Sequence, residues 1–68
     1  MTETVFVNGK GIGFSAGMTL ADILSDMGFD LTRIAVEIDG EICPRAELPS
    51  RTPIDGNRIE VVSFVGGG

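Results

Sequence analysis

The residues of this chain that could do chemistry are few, and most of them lack partners. Ser15, Ser25, Ser50 and Ser63 have no histidine to serve as base, because the sequence contains none. A hydroxyl without a base beside it is a weak nucleophile. The only lysine, Lys10, sits on a hairpin. The ten acidic residues are scattered over turns and one helical stretch, and read as solvated surface rather than as a general acid/base pair. Gly9-x-Gly11-x-Gly13 follows a hairpin turn and opens no helix, so it lacks the setting of a phosphate loop. Cys43 is the single cysteine, which excludes an internal disulfide. With no histidine in the chain, one thiol cannot build a four-ligand zinc site. Two readings of Cys43 stand: a thiol that accepts or passes sulfur, and a small apolar residue closing a strand. The second is the more ordinary.

The remaining candidate is the run Gly66-Gly67-Gly68. Glycine loses the most entropy on ordering and packs nothing, so stability does not explain three of them after an apolar strand. What they offer is slimness: three glycines reach roughly 10 Å and can thread a channel that would reject any side chain. The Gly68 carboxylate then arrives with no Cβ beside it. A carboxylate is a poor electrophile and must be activated, as an acyl-adenylate or thioester, before a nucleophile attacks. The chain therefore reads as a carrier domain, residues 1–65, with a flexible glycine tail, residues 66–68, and without a catalytic site of its own. The competing reading is a frayed end with no role.

Composition fits a single small domain. The chain has 68 residues, 43% hydrophobic and 22% charged, which are globular proportions. A core this small supplies only about 3–5 kcal/mol. The net charge of −5 argues against nucleic acid and anionic membranes as partners, and permits steering toward a basic protein face. No apolar run approaches the roughly 20 residues needed to cross a bilayer. The polar, acidic start and the unpaired thiol lead us to expect a cytoplasmic protein, monomeric when free.

The elements that must position the tail follow from periodicity. Val5 and Val7 alternate with Thr4 and Phe6 and run into Asn8-Gly9, a strong hairpin signal. Ile12 and Phe14 lie on the return strand, where Gly11 and Gly13 predict a twist or bulge. Thr19 reads as a helix N-cap with Asp22 completing a capping box. Leu20, Ile23, Leu24 and Met27 follow the i, i+3, i+4, i+7 template, and Gly28 is the stop, giving a helix over 20–27. Ile34, Val36 and Ile38 form a half-buried strand that turns at Asp39-Gly40 into Glu41-Ile42-Cys43. Pro44, Pro49 and Pro53 make the next ten residues irregular, with a single turn near 46–48. After the Asp55-Gly56-Asn57 turn, Arg58 to Val65 is the last strand. Two hairpins, one helix and a closing strand make an α+β fold, a mixed sheet of about four to five strands packed on one short helix.

Three stretches now read together: Val7-Asn8-Gly9 with the helix after Thr19; Ile38-Asp39-Gly40-Glu41-Ile42-Cys43-Pro44-Arg45; and Asp55 through Gly68. Over nearly the whole chain the sequence resembles the ThiS family, the sulfur carriers of thiazole formation in thiamin biosynthesis, within the ubiquitin-like β-grasp fold. Asp39, Cys43 and Asn57 depart from the family pattern, in which Asn, Val and Asp are usual. The Pro44-Arg45 element separates the chain from the related MoaD carriers. The resemblance implies that a ThiF-like, E1-type adenylyltransferase activates the Gly68 carboxylate with ATP and Mg. Sulfur from a cysteine desulfurase or similar donor then gives a thiocarboxylate, which a ThiG-like thiazole synthase consumes. The carrier itself holds no cofactor.

The docking face is read from alternation. Ile59 and Val61 share one side of the last strand, and Glu60, Val62 and Phe64 share the other. With Ile59 and Val61 against the helix, Val62, Phe64 and Val65, continued by Gly66 and Gly67, would face partners. The alternatives are a sulfur carrier for molybdopterin, tRNA thiolation or cysteine synthesis, a ubiquitin-like protein modifier joined to lysines through Gly68, or a plain binding module with an inert tail.

Overall fold

The structure is a computed structural model and describes residues 3–64. Five strands and one helix follow in the order β1 (Glu3–Val7), β2 (Lys10–Phe14), α1 (Leu20–Asp26), β3 (Ile34–Ile38), β4 (Glu41–Cys43) and β5 (Arg58–Ser63). Short 3₁₀ turns lie at Leu31–Arg33 and Arg45–Glu47. The strands form one mixed sheet in the order β2-β1-β5-β3-β4, in which only β1 and β5 run parallel.

Both hairpins close where their turn residues demand it. Asn8 and Gly9 have φ of 50° and 85°, and Asp39 and Gly40 have φ of 50° and 87°. Two consecutive left-handed residues match the right-handed twist of the flanking strands, and Asn, Asp and Gly reach that region most cheaply. Of the twist or bulge expected in β2, the bulge is absent. Pairing with β1 runs unbroken from Glu3 opposite Phe14 to Val7 opposite Lys10. The reason lies at Gly11, where Phe6 Cε1 and Thr4 Cγ2 stand 3.6 and 3.7 Å from the position a Cβ would take. The neighbouring strand's side chains cover the glycine, so its missing surface does not disturb the ladder.

The helix begins as its sequence requires. Thr19 Oγ1 accepts from the Asp22 backbone N–H at 3.2 Å, and Asp22 Oδ2 accepts from the Thr19 N–H at 2.9 Å. It ends one residue earlier than expected, with Met27 as C-cap, because Gly28 at φ 93° turns the chain. The Gly28 and Phe29 N–H groups then donate back to the Ser25 and Leu24 carbonyls, which satisfies the otherwise orphaned helix end.

Leu20, Ile23 and Leu24 press this helix onto Val5, Val7, Ile34, Val36, Ile38, Ile59 and Val61 of the sheet. The proline-bearing stretch does more than the sequence suggested. Its 3₁₀ turn spans Arg45–Glu47, and Leu48 is buried in the core. The Leu48 and Arg51 carbonyls accept the Ala21 and Leu20 N–H groups at 3.0 and 2.9 Å. The segment thus tethers the helix start to the rest of the domain. Because a domain of this size has little stability in reserve, Leu24→Ala should cost about 2–5 kcal/mol and leave little folded chain. Urea titration followed by circular dichroism checks this.

Candidate functional site

The candidate site is the end of β5 and the sheet face it carries. β5 is shorter than the sequence implied, ending at Ser63 rather than Val65, because its partner β3 begins at Ile34, directly opposite Ser63. Beyond that point no strand residue remains to pair with. The Phe64 N–H instead donates to the Arg33 carbonyl of the 3₁₀ turn at 2.7 Å. The expected site residues Val65, Gly66, Gly67 and Gly68 lie outside the described residues.

On its other side β5 is held by β1, and there the backbone ladder is short: only Phe6 opposite Arg58 and Val7 opposite Ile59. The chain then turns away at Asn8, whose N–H donates to the Ile59 carbonyl at 2.8 Å. The Asn8 side chain continues the ladder. Its Oδ1 accepts the Val61 N–H at 2.8 Å, and its Nδ2 donates to the Val61 carbonyl at 3.1 Å. A primary amide carries both an acceptor and a donor in one plane, so it substitutes for a strand residue. One residue therefore makes the hairpin turn and pins β5 two residues beyond the parallel pairing. The sequence marked Asn8 as a turn residue, but no local pattern reveals a bond across 53 positions.

The start of β5 is fixed by Asp39 and Asn57. Asp39 Oδ1 accepts the Arg58 N–H at 2.9 Å, and Asp39 Oδ2 accepts from Asn57 Nδ2 at 2.7 Å. Asn57 Oδ1 in turn accepts the Ile54 N–H at 2.7 Å. The two side chains face each other and pair one donor with one acceptor.

The alternation of β5 is as expected. Ile59 and Val61 are buried, whereas Val62 and Phe64 are 59% and 54% exposed on the face away from the helix. That face holds two exposed apolar residues that sequence reading did not single out, Phe6 on β1 and Ile42 on β4. Their neighbourhood depends on cross-strand register, which periodicity within one strand cannot supply. A shallow hollow of about 330 Å³ opens on this face beside the first hairpin, lined by Phe6, Gly9, Gly56, Arg58 and Glu60.

Cys43 belongs to the core, buried against the helix side of the sheet, with its thiol directed to the Pro44 carbonyl at 3.7 Å. The packing reading of this residue holds. Among the described residues no group of three His, Cys, Asp or Glu could hold a metal, and no helix is long and apolar enough to cross a membrane. Near the exit of β5, the hydroxyl and backbone N–H of Thr32 donate to Asp30 at 2.6 and 3.0 Å and hold its carboxyl below the usual carboxylate range. A lowered folded-state pKa stabilises the fold above the ordinary carboxylate value. That contribution fades as pH falls through the lowered one.

Comparison with known proteins gives one consistent result. The ThiS family model matches residues 4–68. A sulfur carrier protein ThiS from Thermus thermophilus is 38% identical over 52 residues, covering 76% of this chain and 81% of that protein. A thiazole synthase from Paramagnetospirillum magneticum is 39% identical over 62 residues, which cover 91% of this chain but only 19% of the synthase. The chain thus spans about a fifth of the thiazole synthases it matches. The crystal structure of a thiamine biosynthesis protein (ThiS) from Geobacter metallireducens superimposes with a TM-score of 0.70 at 29% identity, covering 96% of this chain and 99% of that one.

Two substitutions test the geometry that holds β5. Asn8→Asp keeps the left-handed turn and the acceptor but removes the donor to Val61, and should cost about 1–3 kcal/mol in urea unfolding. Asp39→Asn alone sets two amide donors against each other. Adding Asn57→Asp should restore most of the roughly 0.5–1.5 kcal/mol lost, a coupling that a double-mutant cycle reads directly.

Proposed function

The chain belongs to the ThiS family, the small sulfur carriers of thiamin biosynthesis, and on that premise we propose that its Gly68 carboxylate is the group that carries the sulfur. The observation that bears most on this reading is the extent of the family match. It runs through residue 68 and so spans the glycine run.

The chemistry needs little from the carrier and much from its partners. A ThiF-like, E1-type adenylyltransferase would bind the domain, and a Gly68 carboxylate oxygen would attack the α-phosphorus of Mg-bound ATP, expelling pyrophosphate. A persulfide sulfur would then add to the acyl carbon, AMP would depart with the original oxygen, and a second thiol would cleave the resulting acyl disulfide, leaving the thiocarboxylate and a new disulfide on the donor side. The thiocarboxylate so formed would give up its sulfur to a ThiG-like thiazole synthase. A cysteine desulfurase or a similar enzyme would supply the sulfur in the cytoplasm.

The carrier contributes three things: an acyl group, reach and a face to grip. Val62 and Phe64, exposed beside the exit of β5, are the described part of that face. Val65, Gly66 and Gly67 would extend it into the enzyme's channel. That thiazole synthases contain a segment similar to this chain supports a synthase of that kind as the acceptor.

ATP–pyrophosphate exchange tests the activation step. With a ThiF-like adenylyltransferase, the intact chain should drive exchange and the chain lacking Gly67 and Gly68 should not. Equal exchange with both would assign the tail no role.

A further inference from the structure

Among the described residues, β5 ends on one backbone contact beyond its ladder. Pairing with β3 stops where Ser63 faces Ile34, and one residue later the Phe64 N–H donates to the Arg33 carbonyl at 2.7 Å. The Phe64 side chain is exposed, so packing does not fix this residue. The heading of the chain at Phe64 therefore depends on where the Arg33 carbonyl points.

That carbonyl belongs to the 3₁₀ turn Leu31–Arg33, which has little of its own to hold it. A lone 3₁₀ turn has poor hydrogen-bond geometry. Leu31 is half-buried against the core, and Thr32 and Arg33 are exposed. Asp30 supplies the rest. Its Oδ1 accepts the Thr32 N–H at 3.0 Å and the Thr32 hydroxyl at 2.6 Å, and its main-chain carbonyl accepts the Arg33 N–H at 2.9 Å. A short carboxylate two residues before its backbone donor is the arrangement of an Asx turn. Asp30 Oδ2 also lies 3.6 Å from Arg33 Nε, but both side chains are mostly exposed, so that ion pair is weak. A continuous chain of hydrogen bonds thus runs from Asp30 through Arg33 to Phe64.

We propose that Asp30 is a positioning residue for the carrier's reaction: by capping the turn it aims the Arg33 carbonyl, and so sets the heading at which the chain leaves β5 toward Gly68. The inference rests on the carrier reading given above, and Asp30 acts through Thr32 and Arg33 rather than on a reacting atom. Residues 65–68 span at most about 14 Å. Over that length a swing of about 20° at Phe64 moves the far end by roughly 5 Å. Attack requires the carboxylate within about 3–3.5 Å of the phosphorus. A chain that leaves Phe64 in many directions enters an enzyme's channel less often, and a fixed heading lowers the ordering cost of binding. The gain falls on KM, and kcat is untouched once the tail is seated.

Two measurements on the full chain test this. In the free protein, the backbone NMR order parameter of Phe64 should fall in Asp30→Ala from about 0.85 to below about 0.6, with Leu24 and Val61 unchanged. In Asp30→Asn, Oδ1 still accepts both Thr32 donors and only the weak ion pair is lost, so Phe64 should stay ordered. In ATP–pyrophosphate exchange with a ThiF-like adenylyltransferase, Asp30→Ala should raise the KM for the carrier about three- to tenfold and leave kcat within about twofold. Asp30→Asn should restore the wild-type KM. Circular dichroism reads the folded fraction separately. Should Asp30→Ala fail to fold, Thr32→Val carries the test, because it removes the hydroxyl bond and keeps the carboxylate. An ordered Phe64 in the variant, a KM that does not follow the loss of order, or no rescue by Asn would overturn the positioning role and leave the carrier reading standing. No exchange with the wild-type chain would overturn the carrier reading and the role built on it.

Discussion

β5 is the strand on which everything else depends. Among the described residues the two hairpins, β1–β2 and β3–β4, are joined in the sheet only by β5, which lies between them, parallel to one and antiparallel to the other. Neither hairpin alone would be stable in water. The last strand of the chain therefore completes the sheet, supplies Ile59 and Val61 to the core, and delivers the segment that follows it. Any displacement of β5 would be felt at once in the fold and at the tail. This coupling explains why so many polar side chains are committed to it: Asn8 on one flank, Asp39 and Asn57 at its start, and the Arg33 carbonyl at its exit.

The two sides of the sheet divide the labour. One side is dry and closed by a short helix that could not persist alone, since two turns are far below the length at which isolated helices are stable. Its capping box, its Schellman end and the tether from Leu48 and Arg51 compensate for that brevity. Among the described residues nothing packs on the other side, where Phe6, Ile42, Val62 and Phe64 are exposed. The sequence holds no histidine, and its single cysteine, Cys43, is buried in the core.

Much of this was legible in the sequence because it is local. Asn8-Gly9 and Asp39-Gly40 specify their turns, Thr19 and Asp22 specify a helix start, and the alternation of Ile59, Val61 and Val62 assigns inside and outside. The features that were not legible are long-range. The Asn8 amide pairs with a residue 53 positions away, Leu48 enters the core from a stretch with no periodicity, and the β2 bulge fails because Phe6 and Thr4 on the neighbouring strand cover Gly11. β5 stops short for the same kind of reason, since its length is set by where β3 begins. The hydrogen bond between Asn57 and Asp39 is long-range too, since it joins side chains 18 positions apart.

The central claim is that Gly68 carries sulfur as a thiocarboxylate, and intact-mass spectrometry addresses it most directly. The chain is incubated with ATP, magnesium, a ThiF-like adenylyltransferase and a sulfide source, then weighed and fragmented. Replacement of one oxygen by sulfur should add about 16 Da, and fragmentation should place the gain on Gly68. No gain with an adenylyltransferase shown to be active on the chain, or a gain located on Cys43 instead, would contradict it.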